Sequence, residues 1–268
     1  MKTEPLTDGL RDRFKATAIE AAQLAGRILI EQARIGVRVE YKDAVNLVTE
    51  ADRRAEQAII EVIEKVYPEH DMLAEERGLT SVGESVYRWV IDPLDGTTNF
   101  AHGYPAYCVS IALEFQGHPI LGVVFDPTRQ ELFVAEAGFG ATLNGTVLRA
   151  SRTSTLNAAL LVTGFAYDIR ESAQNNLNNF ERFALRAQGL RRTGSAALDL
   201  CYVAAGRFDG FWEMKLHPWD MAAGALMVVE AGGRMSDFNG GPFSIYGPEM
   251  VASNDLIHDD MLEVLRKS

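Results

Sequence analysis

Cysteine is nearly absent: Cys108 and Cys201 are the two in 268 residues, far apart and in apolar surroundings. That excludes a disulfide framework and any Cys-x-x-Cys metal knuckle. The five histidines, His70, His102, His118, His217 and His258, show no His-Glu-x-x-His spacing, so the zinc-peptidase scheme is closed. By sequence they belong to the surface or to local packing, with His217 alone near a motif. No Gly-x-Ser-x-Gly elbow and no nucleoside-triphosphate P-loop occur, and "GFGATLNG" fails the dinucleotide fingerprint. No stretch approaches the roughly 18 apolar residues of a membrane span. The N-terminal "MKTEPLTDGLRDRFKATAIE" has no apolar signal core, so a cytoplasmic protein away from membranes is expected. Basic residues are also scarce, 26 against 37 acidic ones, for a net charge of −11. That balance argues against direct nucleic-acid binding, yet an acidic protein can hold a phosphate locally through a metal.

What is present is a chain 47% hydrophobic, long enough for one large domain or two closely packed halves. Helical spacing of Phe14, Ala18, Ala21, Ala25, Ile28 and Leu29 predicts an amphipathic helix over 7–33. A second helix is expected over 49–66, with Ala55, Ile59, Ile63 and Val66 on one face and Thr49 with Asp52 as a capping box. "DMLAEE" and "YRWVID" read as strands that stop on carboxylates. "YCVSIALEF", "ILGVVFD" and "ELFVAEA" continue an antiparallel pattern, and Asn144-Gly145 marks a hairpin. After about Leu156 strands and helices alternate: "ALLVTGFA", a helix over "SAQNNLNNFERFALRA", "GLRRTG", a helix over "AALDLCYVAAG", "FDGFWEM" and a helix over "DMAAGALMVVEAGG". The closing "DLIHDDMLEVLRKS" reads as a surface helix. Two subdomains sharing one interface are expected, an α+β half over 1–155 and an α/β half over 156–268.

Four separated segments place acid at an element end: Asp52, Glu75-Glu76, Asp92 with Asp95, and Asp220. Alone, Asp52 reads as a cap, Asp95-Gly96 as a turn, Asp220 as a helix-start residue and Glu75-Glu76 as a solvated edge. Together they conflict, because two like charges about 4 Å apart repel by about 4 kcal/mol at an effective dielectric of 20. Cations or shared protons must compensate. Oxygen donors without His or Cys select Mg²⁺ over zinc. The "GTT" after Asp95 offers an anion seat at a short helix start, where Gly96 keeps side chains out of the way. Metal and phosphate seats together point to phosphomonoester hydrolysis.

These residues resemble the inositol monophosphatase family, in its bacterial inositol-1-monophosphatase branch. "WVIDPLDGTTNF" (89–100) is similar to that family's first signature and "WDMAAGALMVVEAGG" (219–233) to its second. "LVTEAD" (47–52), "LAEE" (73–76) and "RRTGSAALDLCYVAAGRFDGFWE" (191–213) support them, so the match runs from about Lys42 to Gly233. The resemblance implies an α+β fold, the layered αβαβα sandwich, and a Mg²⁺-dependent, lithium-sensitive phosphatase. It implies a first Mg²⁺ on Glu75, Asp92 and the Leu94 carbonyl, and a second on Asp92, Asp95 and Asp220. A third, weaker Mg²⁺ is implied near Glu75. Glu75 and Thr97 would orient the attacking water, with Asp52 hydrogen-bonded to Thr97. The amides of Gly96 and Thr97 would receive the phosphate, and Asp95, Gly194, Ser195, Ala196 and Glu213 would contact the alcohol. Lys42 matches a lysine of the family's N-terminal loop. Relatives with this metal core act on fructose 1,6-bisphosphate, 3′-phosphoadenosine nucleotides or histidinol phosphate, and "GTTNF" favours the inositol branch. Lys215 and His217 in "KLHPWD" are expected to alter the alcohol pocket. A homodimer is implied, and close bacterial relatives also take part in transcription-complex assembly. The Arg191-Arg192 pair, otherwise an ordinary solvated edge, is the sequence feature that would serve such a partner.

Overall fold

The computed structural model describes residues 7–35, 39–41, 47–83 and 85–266. Helix α1 (Asp8–Ile35) leads to a ribbon of β1 (Val39–Tyr41) and β2 (Leu47–Thr49), and then to α2 (Glu50–Val66). Thr49 caps α2 and Asp52 returns the bond, so the expected capping box forms. There follow β3 (Asp71–Ala74), β4 (Gly78–Thr80), β5 (Tyr87–Asp95), the single turn α3 (Thr97–Ala101), β6 (Cys108–Phe115), β7 (His118–Asp126), β8 (Glu131–Glu136), β9 (Gly140–Leu143) and β10 (Thr146–Val147). They build an eight-stranded sheet in the order β10-β9-β8-β7-β6-β5-β3-β4, antiparallel except for the pair β3 and β5. Asn144 and Gly145 both have positive φ, as the hairpin between β9 and β10 requires.

The second half adds β11 (Leu160–Thr163), α4 (Leu177–Ala184), β12 (Gly189–Arg191), α5 (Ala196–Ala204), β13 (Gly210–Met214), α6 (Pro218–Glu230), β14 (Arg234–Ser236), β15 (Glu249–Ser253) and α7 (His258–Arg266). Its five-stranded sheet has the order β12-β11-β13-β15-β14. Three apolar clusters define the layers. Ala18, Ala25, Leu29, Ile59 and Ile63 of α1 and α2 pack on Trp89, Ile91 and Val109 of the large sheet. On its other face Val90, Ala112 and Val124 meet α5 and α6, which in turn cover Val162, Phe211 and Ala252 of the small sheet. Phe183 of α4 and Met261 and Leu265 of α7 close the far side on Leu161, Trp212 and Val251. The stack is helix, sheet, helix, sheet, helix: the αβαβα sandwich.

Four sequence expectations are corrected. The helix expected over 172–187 is confined to Leu177–Ala184, because Asn176 takes a left-handed φ of 68° and turns its side chain inward. The last helix is no surface element. His258 is fully buried between Ser236 Oγ and Ser253 Oγ at 2.9 and 2.8 Å, and burial lowers its pKa to about 4. β5 does not stop at Asp92 but runs to Asp95. β4, β14 and β15 are strands the sequence pattern did not reveal.

Candidate active site

β3 and β5 run parallel, with Ala74 opposite Ile91, and the Glu75 amide donates to the Ile91 carbonyl at 3.2 Å. Glu75 therefore leaves the sheet beside Asp92. Asp92 and Asp95 are three residues apart, an odd step that a regular strand would send to opposite faces. A bulge resolves this: Asp92 pairs with Ser110 and Asp95 with Cys108, so three steps on β5 match two on β6. Asp220 comes from the first turn of α6, the helix buried between the sheets. Its Oδ2 accepts from the His217 amide at 2.7 Å. Carboxylate oxygens of Asp92, Asp95 and Asp220 lie within 4.8 Å of one another.

The remaining positions are held by this frame. Asp92 Oδ1 accepts from the Leu94 amide at 2.9 Å. Asp95 Oδ2 accepts from Ser195 Oγ at 2.6 Å and from the Ala197 amide at 2.7 Å, which ties the start of α5 to the end of β5. Ser195, expected as an alcohol contact, thus directs its hydroxyl at a carboxylate. Thr97 Oγ1 lies 3.2 Å from Asp52 Oδ1 and 3.1 Å from the Leu94 carbonyl. Asp52 uses its other oxygen to cap α2, so it is both a cap and a partner of Thr97. Gly96 has φ 96°, and a Cβ there would come within 2.9 Å of the Ala106 carbonyl. Asn99 Nδ2 joins that carbonyl to the Thr193 carbonyl at 2.7 and 2.9 Å, which stitches the turn to the loop bearing Gly194.

Glu75, Asp92, Leu94, Asp95, Gly96, Thr97, Gly194, Ser195, Ala196, Glu213 and Asp220 all line one cleft of about 470 Å³, with Asp52 behind Thr97. Lys42 lies outside the described residues. Among the lining residues to which the sequence gave no role at the site, three carry polar or titratable groups of interest: Arg192, Asp199 and Tyr167. Arg192, read as a surface edge, faces Asp199 and Glu213, and its cationic field favours their ionised forms. Asp199 is buried and accepts from Thr193 Oγ1 at 2.6 Å. Tyr167 enters from the loop after β11. Arg192 and Asp199 lie inside the quoted 191–213 stretch, which gave them no role at the site, and Tyr167 lies outside every motif.

Burial raises the proton affinity of Asp52, Asp92, Asp95, Glu213 and Asp220. Asp92 is pushed well above the usual carboxylate range by burial, then by Glu75, Asp95 and Asp220. Asp220 is raised by burial and by Asp95, and Glu213 by burial and by Asp199. Asp52 rises to about 6, burial outweighing its bonds from Thr49. Acids crowded this way need protons or a cation. The donor set is all oxygen. Cys108 Sγ lies 3.9 Å from Asp95 Oδ2, but burial holds its thiol protonated and so a poor ligand. The residues fit a hard divalent ion.

The family model described as "Inositol monophosphatase family" matches residues 10–268. An inositol-1-monophosphatase of Synechocystis sp. is 49% identical over 83% of this chain and 77% of its own length. A Nus factor SuhB of Pseudomonas aeruginosa is 48% identical over 88% of this chain and 90% of its own. The structure of an inositol monophosphatase from Anabaena superposes with a TM-score of 0.88 at 44% identity, covering 96% of both chains. A structure of an IMPase/NADP phosphatase complexed with Mg²⁺ and phosphate superposes with a TM-score of 0.82 at 26% identity, over 96% of this chain and 95% of the other. With its two signatures meeting in one acidic cleft and a family match over nearly the whole length, the chain belongs to the inositol monophosphatase family.

Proposed function

We propose that the protein is a Mg²⁺-dependent phosphatase that hydrolyses myo-inositol 1-phosphate and related polyol or sugar phosphates to the free alcohol and phosphate. The observation that carries this reading is the convergence of Asp92 and Asp95 from β5 with Asp220 from α6, carboxylates within 4.8 Å in an open cleft. Glu75, Asp92 and the Leu94 carbonyl would hold a first Mg²⁺, and Asp92, Asp95 and Asp220 a second, with a third near Glu75. When bound, Mg²⁺ supplies Lewis-acid polarisation of phosphate oxygens and a lower pKa for water. Thr97 commits its single hydroxyl hydrogen to Asp52 or to the Leu94 carbonyl, which leaves lone pairs to accept from the attacking water. Glu75 shares that orienting role. Amides of Gly96 and Thr97 receive the phosphate, and Asp95, Gly194, Ala196, Glu213 and the main chain of Ser195 contact the alcohol.

The assay is phosphate release from myo-inositol 1-phosphate, fructose 1,6-bisphosphate and histidinol phosphate, with and without Mg²⁺ and with added Li⁺. We expect Mg²⁺-dependent, Li⁺-inhibited turnover with the highest specificity constant on the inositol ester. Asp95→Asn or Asp220→Asn should fold and lose turnover by at least about 10²–10³-fold. Retained turnover in either variant would refute the assignment, and a higher specificity constant on another ester would move the substrate to that ester.

A second role, in transcription-complex assembly, is favoured by the relatives named Nus factor SuhB, among them one of Escherichia coli at 43% identity. Such a role would add to catalysis, act in the cytoplasm and use the chain as a homodimer. Its organisation as halves over 1–155 and 156–268 would let the first carry most metal ligands and the second Asp220 and the alcohol contacts. No described helix is long and apolar enough to cross a membrane.

A further inference from the structure

One wall of the cleft is a loop over 164–176 that leaves β11 and returns to α4. Its base is fixed from inside. Asn176 Nδ2 donates to the Gly164 carbonyl at 2.8 Å and to Thr163 Oγ1 at 2.9 Å, and Asn176 Oδ1 accepts from Trp212 Nε1 at 2.9 Å. Its rim is fixed from the end of β13, where Lys215 Nζ donates to Asp168 Oδ2 at 2.5 Å and to Ser172 Oγ at 2.8 Å. Between these two ties stands Tyr167, which lines the cleft together with Thr98, Glu75, Asp95 and Asp220. Lys215 holds φ 62°, a left-handed backbone that costs a lysine energy and a glycine none. What lysine brings there and glycine could not is the ammonium that reaches Asp168. Lys215 is also two residues beyond Glu213, so the same strand end carries an alcohol contact and the tie.

We infer that Lys215 is a positioning residue that latches the 164–176 loop through Asp168, and that the latched loop sets Tyr167 beside Thr98 as a wall that selects compact alcohol leaving groups. This rests on the phosphatase reading for its substrate and on the geometry alone for the latch. The side chains of Lys215 and Asp168 are 30% and 46% exposed, so their pair adds little to global stability and acts locally.

The test uses the full chain with Lys215→Gly, which relaxes the backbone while removing the latch, and Asp168→Asn, which keeps the shape and removes the charge. With myo-inositol 1-phosphate we expect KM to rise about three- to fivefold, the size of a partly exposed ion pair, with kcat within about twofold. Inhibition by inorganic phosphate should stay unchanged, and the ratio of specificity constants should shift toward 4-nitrophenyl phosphate, whose leaving group is flat and longer than inositol. Trypsin should cut after the exposed Arg170, inside the loop, several times faster in both variants without a drop in Tm. The exchange Lys215→Asp with Asp168→Lys should restore the wild-type pattern. Unchanged cleavage at Arg170 with an unchanged KM ratio would overturn the inference. So would a joint loss of kcat and phosphate affinity, which marks a general distortion of the site. If the wild type releases no phosphate from any ester, faster cleavage in the variants still supports the latch, and only the phosphatase reading falls.

Discussion

Thr97 joins two local structures that have separate reasons to exist. Asp52 would cap α2 with or without a neighbour, and the Gly96 turn would form wherever the chain must fold back on itself. A hydroxyl with one hydrogen between two acceptors, Asp52 Oδ1 at 3.2 Å and the Leu94 carbonyl at 3.1 Å, makes them one unit. Thr97→Val keeps the shape and deletes the hydroxyl. We expect it to cost about 1 kcal/mol of stability, the net worth of one buried hydrogen bond, and about 10²-fold in kcat. KM should change little, because the main-chain amides that would receive the phosphate stay in place. Urea unfolding beside steady-state kinetics checks both, and a variant with wild-type kcat would remove Thr97 from the orienting role.

Among the elements, α6 carries most of the coupling between fold and site. It is apolar on nearly every side, as a helix between two sheets must be, and it crosses β7 so closely that a Cβ on Gly122 would lie 2.8 Å from the Ala223 carbonyl oxygen. Ala223 is one turn beyond Asp220. Gly122→Ala should therefore destabilise the protein by about 1–3 kcal/mol and lower kcat by up to about 10²-fold by displacing Asp220. Denaturant midpoints and turnover per folded molecule measure the two effects, and lost stability with intact kcat would show that the helix position does not set the carboxylate. This element also marks how far the sequence could be read. The capping box of α2, the hairpin at Asn144-Gly145 and the two signatures were legible because each is a local pattern with a local cause. The bulge at 92–95 was not, because three steps on β5 match two only against β6, a partner that sequence spacing does not name. β15 escaped for a similar reason: its place beside β13 is set by the sheet and by no signal of its own. Tyr167 reaches the cleft by tertiary packing with nothing in its immediate neighbours to announce it, while Arg192 and Asp199 lie in the 191–213 stretch whose pattern does not say which side chains turn inward.

Across the whole molecule, the site works against the fold. Asp92, Asp95 and Asp220 are brought together from the two sheets' neighbourhood by packing that would be more comfortable without their charges. Burial raises the proton affinity of all three, and repulsion from neighbouring carboxylates adds to it at Asp92 and Asp220. A chain with a net charge of −11 offers no compensating basic surplus. Stability is then expected to depend on the ion more than on any single contact. A ligand that binds only the native state adds about 2.7 kcal/mol at a hundredfold excess over its Kd. The metal-free wild type should unfold at a lower temperature than the Mg²⁺-bound protein, while Asp220→Asn should reverse the order of the variants. Asparagine keeps an oxygen for the His217 amide and removes one charge from the cluster. Without metal, Asp220→Asn should therefore melt above the wild type, and added Mg²⁺ should raise its Tm far less. Melting curves in chelator and in millimolar Mg²⁺ give all four values. A metal-free Asp220→Asn protein that melts below the wild type would mean that the carboxylate is held by its helix cap more than it is opposed by its neighbours, and the site would then be a stabilising part of the fold even when empty.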